Sequence, residues 1–196
     1  MRQVEFGEGV DSASRSADSS RDAAWLNGDE RAAWIALVAL NTLLPPAIDA
    51  QLQRDSGIGF FEYTVLAMLS EQPSRTLRMS ELARVVNGSL SRLSHVAKRL
   101  EDRDLLRRGP LPGNGRITIA TLTEAGMAQV VQAAPGHVRA VRELVVDRLS
   151  VDQQRGLVTA FLAVLGAVDA DAATAIAAAI SVRTTDGHGV DGQIGS

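Results

Sequence analysis

Arg92, His95, Lys98, Arg99 and Arg103 fall within the sixteen residues "SLSRLSHVAKRLEDRD" (89–104), together with the hydroxyls of Ser89, Ser91 and Ser94. These side chains suit the recognition of a polyanion. An Arg guanidinium can bond guanine O6 and N7 with two parallel N–H groups, and a Ser hydroxyl can bond a base edge or a phosphate. A helix N-terminus itself favours an anion. No acid occurs from Ser89 to Leu100, whereas Glu101, Asp102 and Asp104 crowd the far end. At 100° per residue, Leu90, Leu93, Val96, Ala97 and Leu100 share one side of a helix. Ser91, Arg92, His95, Lys98, Arg99 and Asp102 take the other, so the stretch reads as an amphipathic helix with a defined core side.

The charge around this helix sharpens the question. Residues 75–116 hold ten basic and four acidic side chains, a net charge of +6. The rest of the chain holds ten basic and nineteen acidic ones, a net charge of −9. A basic segment in an acidic body is the electrostatic footprint of a polyanion binder. From charge alone, a solvated surface is the competing reading.

The flanking elements follow from caps and breakers. Asn27 caps a first helix with Glu30 three residues on. Pro45-Pro46 predicts a kink or break, after which the helix resumes and stops at Gly57. "FFEYTVLAMLSEQ" is a second helix, ended by Pro73, and Leu77–Met79 is a short extended piece. Ser80 is expected to cap "ELARVV", with Asn87-Gly88 as a turn and Ser89 as the next cap. Leu105–Arg108 and Ile117–Leu122 read as strands joined by a long Gly/Pro loop. Thr123 caps a helix that Pro135-Gly136 is expected to interrupt, and Ser150 caps a last helical region to about Ile180. Two short helices with a tight turn, followed by a hairpin, make a winged helix-turn-helix. The fold class is therefore mainly α with a small β-hairpin wing, flanked by long terminal helices.

At 196 residues the chain reads as one domain between polar tails, 1–24 and 181–196, expected to be disordered. It lacks cysteine, which excludes disulfides, thiolate metal sites and cysteine redox sensing. The first residues have no apolar signal-peptide core. "WIALVALNTLL" and "LVTAFLAVLGAV" are 11 and 12 residues long. A membrane span needs about 20. The expectation is a cytoplasmic protein with no membrane partner. G-x-S-x-G, H-E-x-x-H and P-loop patterns are absent, and the three histidines include no i, i+4 pair, so no enzyme, cofactor or metal site is expected.

"RMSELARVVNGSLSRLSHVAKRLEDRDLLRR", a Gly/Pro loop with an Arg, and then "TLTEAG" resemble the MarR family of transcriptional regulators. "DERAAWIAL", "LQRDSGI" and "AAPGHVRAVR" extend the likeness over residues 25–168. The resemblance implies a homodimer whose helical region (25–56 and 124–180) interlocks with its copy. Two winged helices (57–123) would then read successive major grooves of a pseudo-palindromic operator in double-stranded DNA. It implies a repressor released by a small amphipathic or phenolic effector. The apolar residues Trp34, Ile35, Leu37, Val38 and Leu40, and Leu157, Val158, Phe161, Leu162 and Leu165, cover more than one face of their helices, as helices with several partners do.

The DNA-binding candidates are Ser80, Ser89, Leu90, Ser91, Arg92, Ser94, His95, Lys98, Arg99, Arg107, Asn114 and Arg116. The effector-pocket candidates are Trp34, Phe60, Phe61, Met68, His137 and Arg142, against the reading that these are simply core. The chain departs from the family pattern at Asn114, where the wing usually has Asp, at Asp104, where Gly usually ends the recognition helix, and at Leu90, often Arg in the related branch. A winged helix that pairs with another protein and binds DNA weakly or not at all is the alternative.

Overall fold

The computed structural model describes residues 25–186, so the expected disorder of residues 1–24 and 187–196 lies outside the described residues. The described residues fall into two compact units, 25–40 and 41–186. Of the first unit, the described part is the start of helix α1 (Gly28–Ser56), capped by Asn27 Oδ1 accepting from Glu30 N–H at 3.0 Å. Trp34, Ile35, Val38 and Leu40 are exposed there.

The second unit contains the winged helix. After α1 come α2 (Phe60–Ser70), β1 (Thr76–Arg78), α3 (Met79–Val85), α4 (Leu90–Asp102), β2 (Leu106–Leu111), β3 (Asn114–Leu122), α5 (Glu124–Leu144), a 3-10 turn (Val146–Arg148), α6 (Val151–Val168) and α7 (Ala170–Asp186). The sheet is antiparallel in the order β1-β3-β2. One core joins the elements around α4: Leu52, Ile58, Leu66, Leu69, Leu82, Leu93, Leu100, Leu106 and Ala120 are almost wholly buried. The sequence-derived fold class is the observed one.

Several boundaries differ from expectation. Pro45-Pro46 and Pro135 lie inside continuous helices. Each ring removes a donor to the carbonyl four residues back, but Asn41, Thr42 and Val131 are exposed, so solvent can satisfy those carbonyls. The unbroken α1 is consequently longer than its apolar run suggested. Its 29 residues include an 18-residue window of mean hydropathy 1.4, long and apolar enough to cross a bilayer, a test that a helix packed against protein also passes.

Ser80 is not the cap of α3. The helix starts at Met79, two residues before the expected Glu81, with Arg78 as its N-cap; Met79 is buried, and Glu81 Oε2 accepts from Arg78 N–H at 3.4 Å. The expected long wing loop is a two-residue connection, Pro112-Gly113, because Gly109 and Pro110 are part of β2. β2 is an edge strand, where proline's missing donor is tolerated. The last helical region is two helices. Asp169 adopts an extended backbone and its Oδ1 accepts from Ala172 N–H at 2.9 Å, starting α7 afresh. α7 runs to Asp186, so residues 181–186 of the expected tail are helical.

Left-handed residues close both helices of the helix-turn-helix. Asn87 (φ 50°) ends α3, with Gly88 N–H bonding Ala83 O at 2.9 Å. Asp104 (φ 55°) ends α4, with Leu105 N–H bonding Leu100 O at 2.9 Å and Asp104 N–H bonding Glu101 O at 2.9 Å. This is the Schellman pattern usually made by glycine, and Asp is among the side chains that tolerate it. Thr123 then serves two elements: its Oγ1 donates to Asp104 O at 2.6 Å and accepts from Gly126 N–H at 2.9 Å.

The wing is tied to α4 by Glu101. Its Oε1 accepts from Arg108 N–H at 2.7 Å and its Oε2 from Arg108 Nε at 2.8 Å. Burial alone raises the Glu101 pKa, but the Arg108 hydrogen bonds and charge, helped by Lys98, outweigh it and leave the net value lowered. A lowered folded-state pKa adds stability above the unfolded carboxylate value and loses it as pH falls through the folded value. Glu101→Gln should therefore cost about 1–2 kcal/mol at pH 7. In pH-resolved thermal melts the gap from wild type should narrow below about pH 4; a gap independent of pH would contradict the ion-pair account.

Gly126 has a separate role, because a Cβ there would lie 2.0 Å from Leu105 O and 2.7 Å from Leu122 Cδ1. Gly126→Ala should destabilise by roughly 2–3 kcal/mol in urea unfolding. Gly156→Ala, in a helix with nothing near its Cβ, should be neutral or stabilising by up to about 1 kcal/mol. Equal effects would mean that the contact at Gly126 carries no constraint.

Candidate nucleic-acid interface

α4 is held by its leucine side and offers the other side outward. Ser89 Oγ caps it by accepting from Arg92 N–H at 3.2 Å. Leu93, Val96, Ala97 and Leu100 are buried, as the helical wheel requires. Leu90 departs from that grouping: it is 53% exposed. As the first helical residue it lies beyond the packed face and joins Ser91, Arg92 and His95 on the outward side. Lys98 and Arg99 continue that side, while Ser94 is half-buried.

Ion pairs divide the cationic segment. Arg75 pairs with Glu124, Lys98 with Asp102, Arg107 with Asp104, and Arg108 with Glu101. Arg99 donates from Nε and Nη2 to Glu62 Oε1 at 3.1 and 3.0 Å, and Arg103 Nη1 stands 3.9 Å from Glu62 Oε2. Among the described residues, Arg78, Arg84, Arg92 and Arg116 make no ion pair. Arg99 thus anchors α4 to α2 through a buried carboxylate. The exposed Lys98 and Arg107 pairs are the kind that exchange readily with solvent.

Arg92 has a different partner. Its guanidinium carbon lies 4.1 Å from the centroid of the Phe61 ring. Phe61 and Arg92 line both a cleft of about 770 Å³, with Ser91, His95 and Arg99, and a cavity of about 590 Å³, with Pro45, Pro46, Phe60 and Asn87. On the wing, Asn114 and Arg116 are exposed, and Asn114 Oδ1 accepts from Arg116 N–H at 3.2 Å. Asn114 thus stabilises the turn locally although it cannot form an ion pair. Ser80 lies exposed on the first turn of α3.

The effector-pocket candidates do not form one cluster. Phe60 and Tyr63 flank His137, with ring centroids at 6.1 and 4.6 Å. Burial lowers the His137 pKa, and its Nδ1 has no hydrogen-bond partner among the described residues. Phe61 belongs with Arg92, and Met68 lines a cavity of about 420 Å³ with Ile176 and Ile180 of α7. Arg142 is occupied by Asp147 at 2.6 Å. Trp34, in the first unit, is exposed.

Sequence reasoning missed Glu62 as the anchor of α4 and Phe61 as the partner of Arg92. Glu62 carries a local signal, since it stands three residues after Gly59, whose N–H it accepts at 3.0 Å. The stacking of Phe61 on Arg92 spans 31 positions and has no local signature.

Residues 62–118 match the family model described as the MarR family. Among curated proteins no match was found. Among solved structures, the chain is similar to Sco3205, a MarR family transcriptional regulator from Streptomyces coelicolor solved in complex with DNA. The identity is 40% and the TM-score 0.72, covering 74% of this chain and 91% of that one. It is also similar to AbsC, a MarR family regulator from the same organism, at 33% identity and a TM-score of 0.70, covering 74% of this chain and 97% of that one. PcaV, a transcriptional regulator from that organism in complex with its natural ligand, shares the fold at 20% identity and a TM-score of 0.62, covering 74% of this chain and 99% of that one. The basic helix-turn-helix with its wing, and 40% identity over nearly the whole of a family member, establish that the chain belongs to the MarR family of transcriptional regulators.

Proposed function

We propose that the protein is a cytoplasmic, homodimeric repressor that reads a pseudo-palindromic operator through α4 and the wing, and that a small amphipathic effector releases it. The observation that carries the DNA reading is the outward face of α4: acid-free for its first half, exposed, and bearing an Arg92 with no carboxylate partner among the described residues. Ser91, Arg92, His95 and Leu90 would meet base edges, Leu90 through a thymine methyl. Ser80, Ser89, Ser94, Lys98, Arg107, Asn114 and Arg116 would position the protein on phosphates and in the minor groove, while Arg99, a candidate from its place on the helix, is taken up by Glu62 and seats α4 instead. Sco3205, at 40% identity, was solved on DNA, which supports the same partner here.

The dimer reading rests on α6, which has no buried residue although Val151, Val158, Phe161, Val164 and Val168 are apolar. A second copy is the partner that would cover them, and such a partner accounts for the apolar length of α1 without a bilayer. The effector is assigned to the cavity of about 590 Å³ beside Phe60 and Phe61, because it borders the α3–α4 turn at Asn87. It would act by binding the DNA-competent and DNA-free conformations unequally.

Salt-titrated binding of the full chain to duplexes selected from a random pool tests the reading. Log affinity should fall with log salt at roughly 0.9 per phosphate contacted. A flat dependence, or no enrichment of any sequence, would favour a protein partner instead. Arg92→Ala should relax sequence preference, while Arg107→Ala should weaken all sequences alike. Sedimentation should give twice the chain mass, and a monomer would remove the half-site geometry. A panel of phenolic carboxylates should include one that weakens the DNA complex; a Kd unmoved by all of them would count against the effector.

A further inference from the structure

We propose that Phe61 is a positioning residue for sequence readout: its ring holds the Arg92 guanidinium in the plane from which α4 reads a base pair. The proposal rests on the DNA reading above and adds a residue from α2 that is not on the reading face.

The geometry is specific to one arginine. Arg99 and Arg103 are drawn to the buried Glu62 carboxylate, whereas Arg92 has no ion pair among the described residues and stacks on the Phe61 ring at 4.1 Å. A free arginine side chain samples many rotamers and loses that freedom when it docks. A ring beneath the guanidinium restricts those rotamers before DNA arrives. The restriction is compatible with reading, because Arg92 remains exposed and lines the cleft in front of α4. The guanidinium N–H groups are what bond O6 and N7 of a guanine.

The backbone that carries Phe61 is held in place. Its neighbours on the first turn of α2 are tied down, Phe60 N–H to Asp49 Oδ1 at 2.7 Å and Gly59 N–H to Glu62 Oε2 at 3.0 Å. The ring abuts the helix-turn-helix: a Cβ at Gly88 would stand 2.7 Å from Phe61 Cζ and 3.0 Å from Cε2. A side chain at Gly88 would make the ring move from its present place. The same ring therefore touches the turn that aims α4 and the side chain that α4 presents.

The test uses the full chain and the best duplex it selects from a random pool, with every base pair then varied singly. The ratio of affinities at each position is the discrimination. Phe61→Leu should lower discrimination roughly three- to tenfold at the positions that Arg92→Ala flattens, with affinity for unrelated duplex and the salt slope unchanged. Phe61→Tyr, which keeps the ring, should restore it. In an Arg92→Ala background, Phe61→Leu should add nothing. Phe61→Met keeps the packing volume without the ring and should read like Phe61→Leu where that variant melts early. A loss of discrimination that persists in the Arg92→Ala background would make the ring a packing element acting through the turn, and would overturn the proposal. So would full discrimination in Phe61→Leu or Phe61→Met, or an Arg92→Ala variant that flattens no position. A wild-type chain that selects no sequence at all overturns the DNA reading itself.

Discussion

Glu62 brings a carboxylate into an almost closed site at the start of α2, and the seating of α4 depends on how that charge is satisfied. One oxygen accepts from Gly59 N–H, and the other takes both Nε and Nη2 of Arg99. Arg103 approaches the first oxygen and donates to the carbonyl of Gly57, the residue that follows α1. A buried charge left without partners is strongly destabilising, so α4 cannot rotate or slide away from α2 without exposing that cost. Two cations of the basic segment thus fix where the remaining ones point. A reading helix has to be rigid at its base for the first two turns to present side chains in a defined pattern.

The same economy runs through the joints. α3 and α4 both end on a left-handed residue that is not glycine, and each uses the six-to-one bond to turn the chain sharply. After α4, Asp104 O is taken by Thr123, which also caps α5, while Glu101 one turn earlier holds Arg108 of the wing. The recognition helix, the wing and the start of α5 therefore meet within one short hydrogen-bonded cluster. Gly126 closes it, since the backbone of Leu105 occupies the space a side chain would need. Asp104 in place of the family's glycine is accommodated by its left-handed backbone, and its carboxylate gains Arg107.

Much of this was legible in the sequence because it is local. The caps at Asn27, Ser89, Thr123 and Ser150 are short-range hydrogen bonds between neighbouring residue types, and all four are present. The leucine side of α4 is a periodicity. What escaped was decided by surroundings. Whether Pro45, Pro46 and Pro135 break a helix depends on whether the carbonyls they abandon face solvent, which no propensity encodes. The start of α3 at Met79 rather than Glu81 accompanies burial of the methionine side chain. The tight wing follows from β2 being an edge strand. The division of cations into anchors and free groups required knowing that Glu62, 37 positions before Arg99, would be its neighbour.

That division changes what the net charge of the basic segment means. Charge counting treats its ten cations alike, yet Arg99 and Arg108 are committed to carboxylates inside the fold, and the exposed pairs at Lys98 and Arg107 are bound only loosely. The cations most open to a polyanion are Arg78, Arg84, Arg92 and Arg116, which lie on separate elements rather than along one stripe. A surface of this kind is poorly suited to simple electrostatic adhesion, in which any dense cationic row suffices. It suits a ligand whose charges are spaced and whose grooves have a fixed period, because separate cations can then meet separate phosphates. The scarcity of free charge, more than its total, is what favours a reader of duplex sequence over a general polyanion binder.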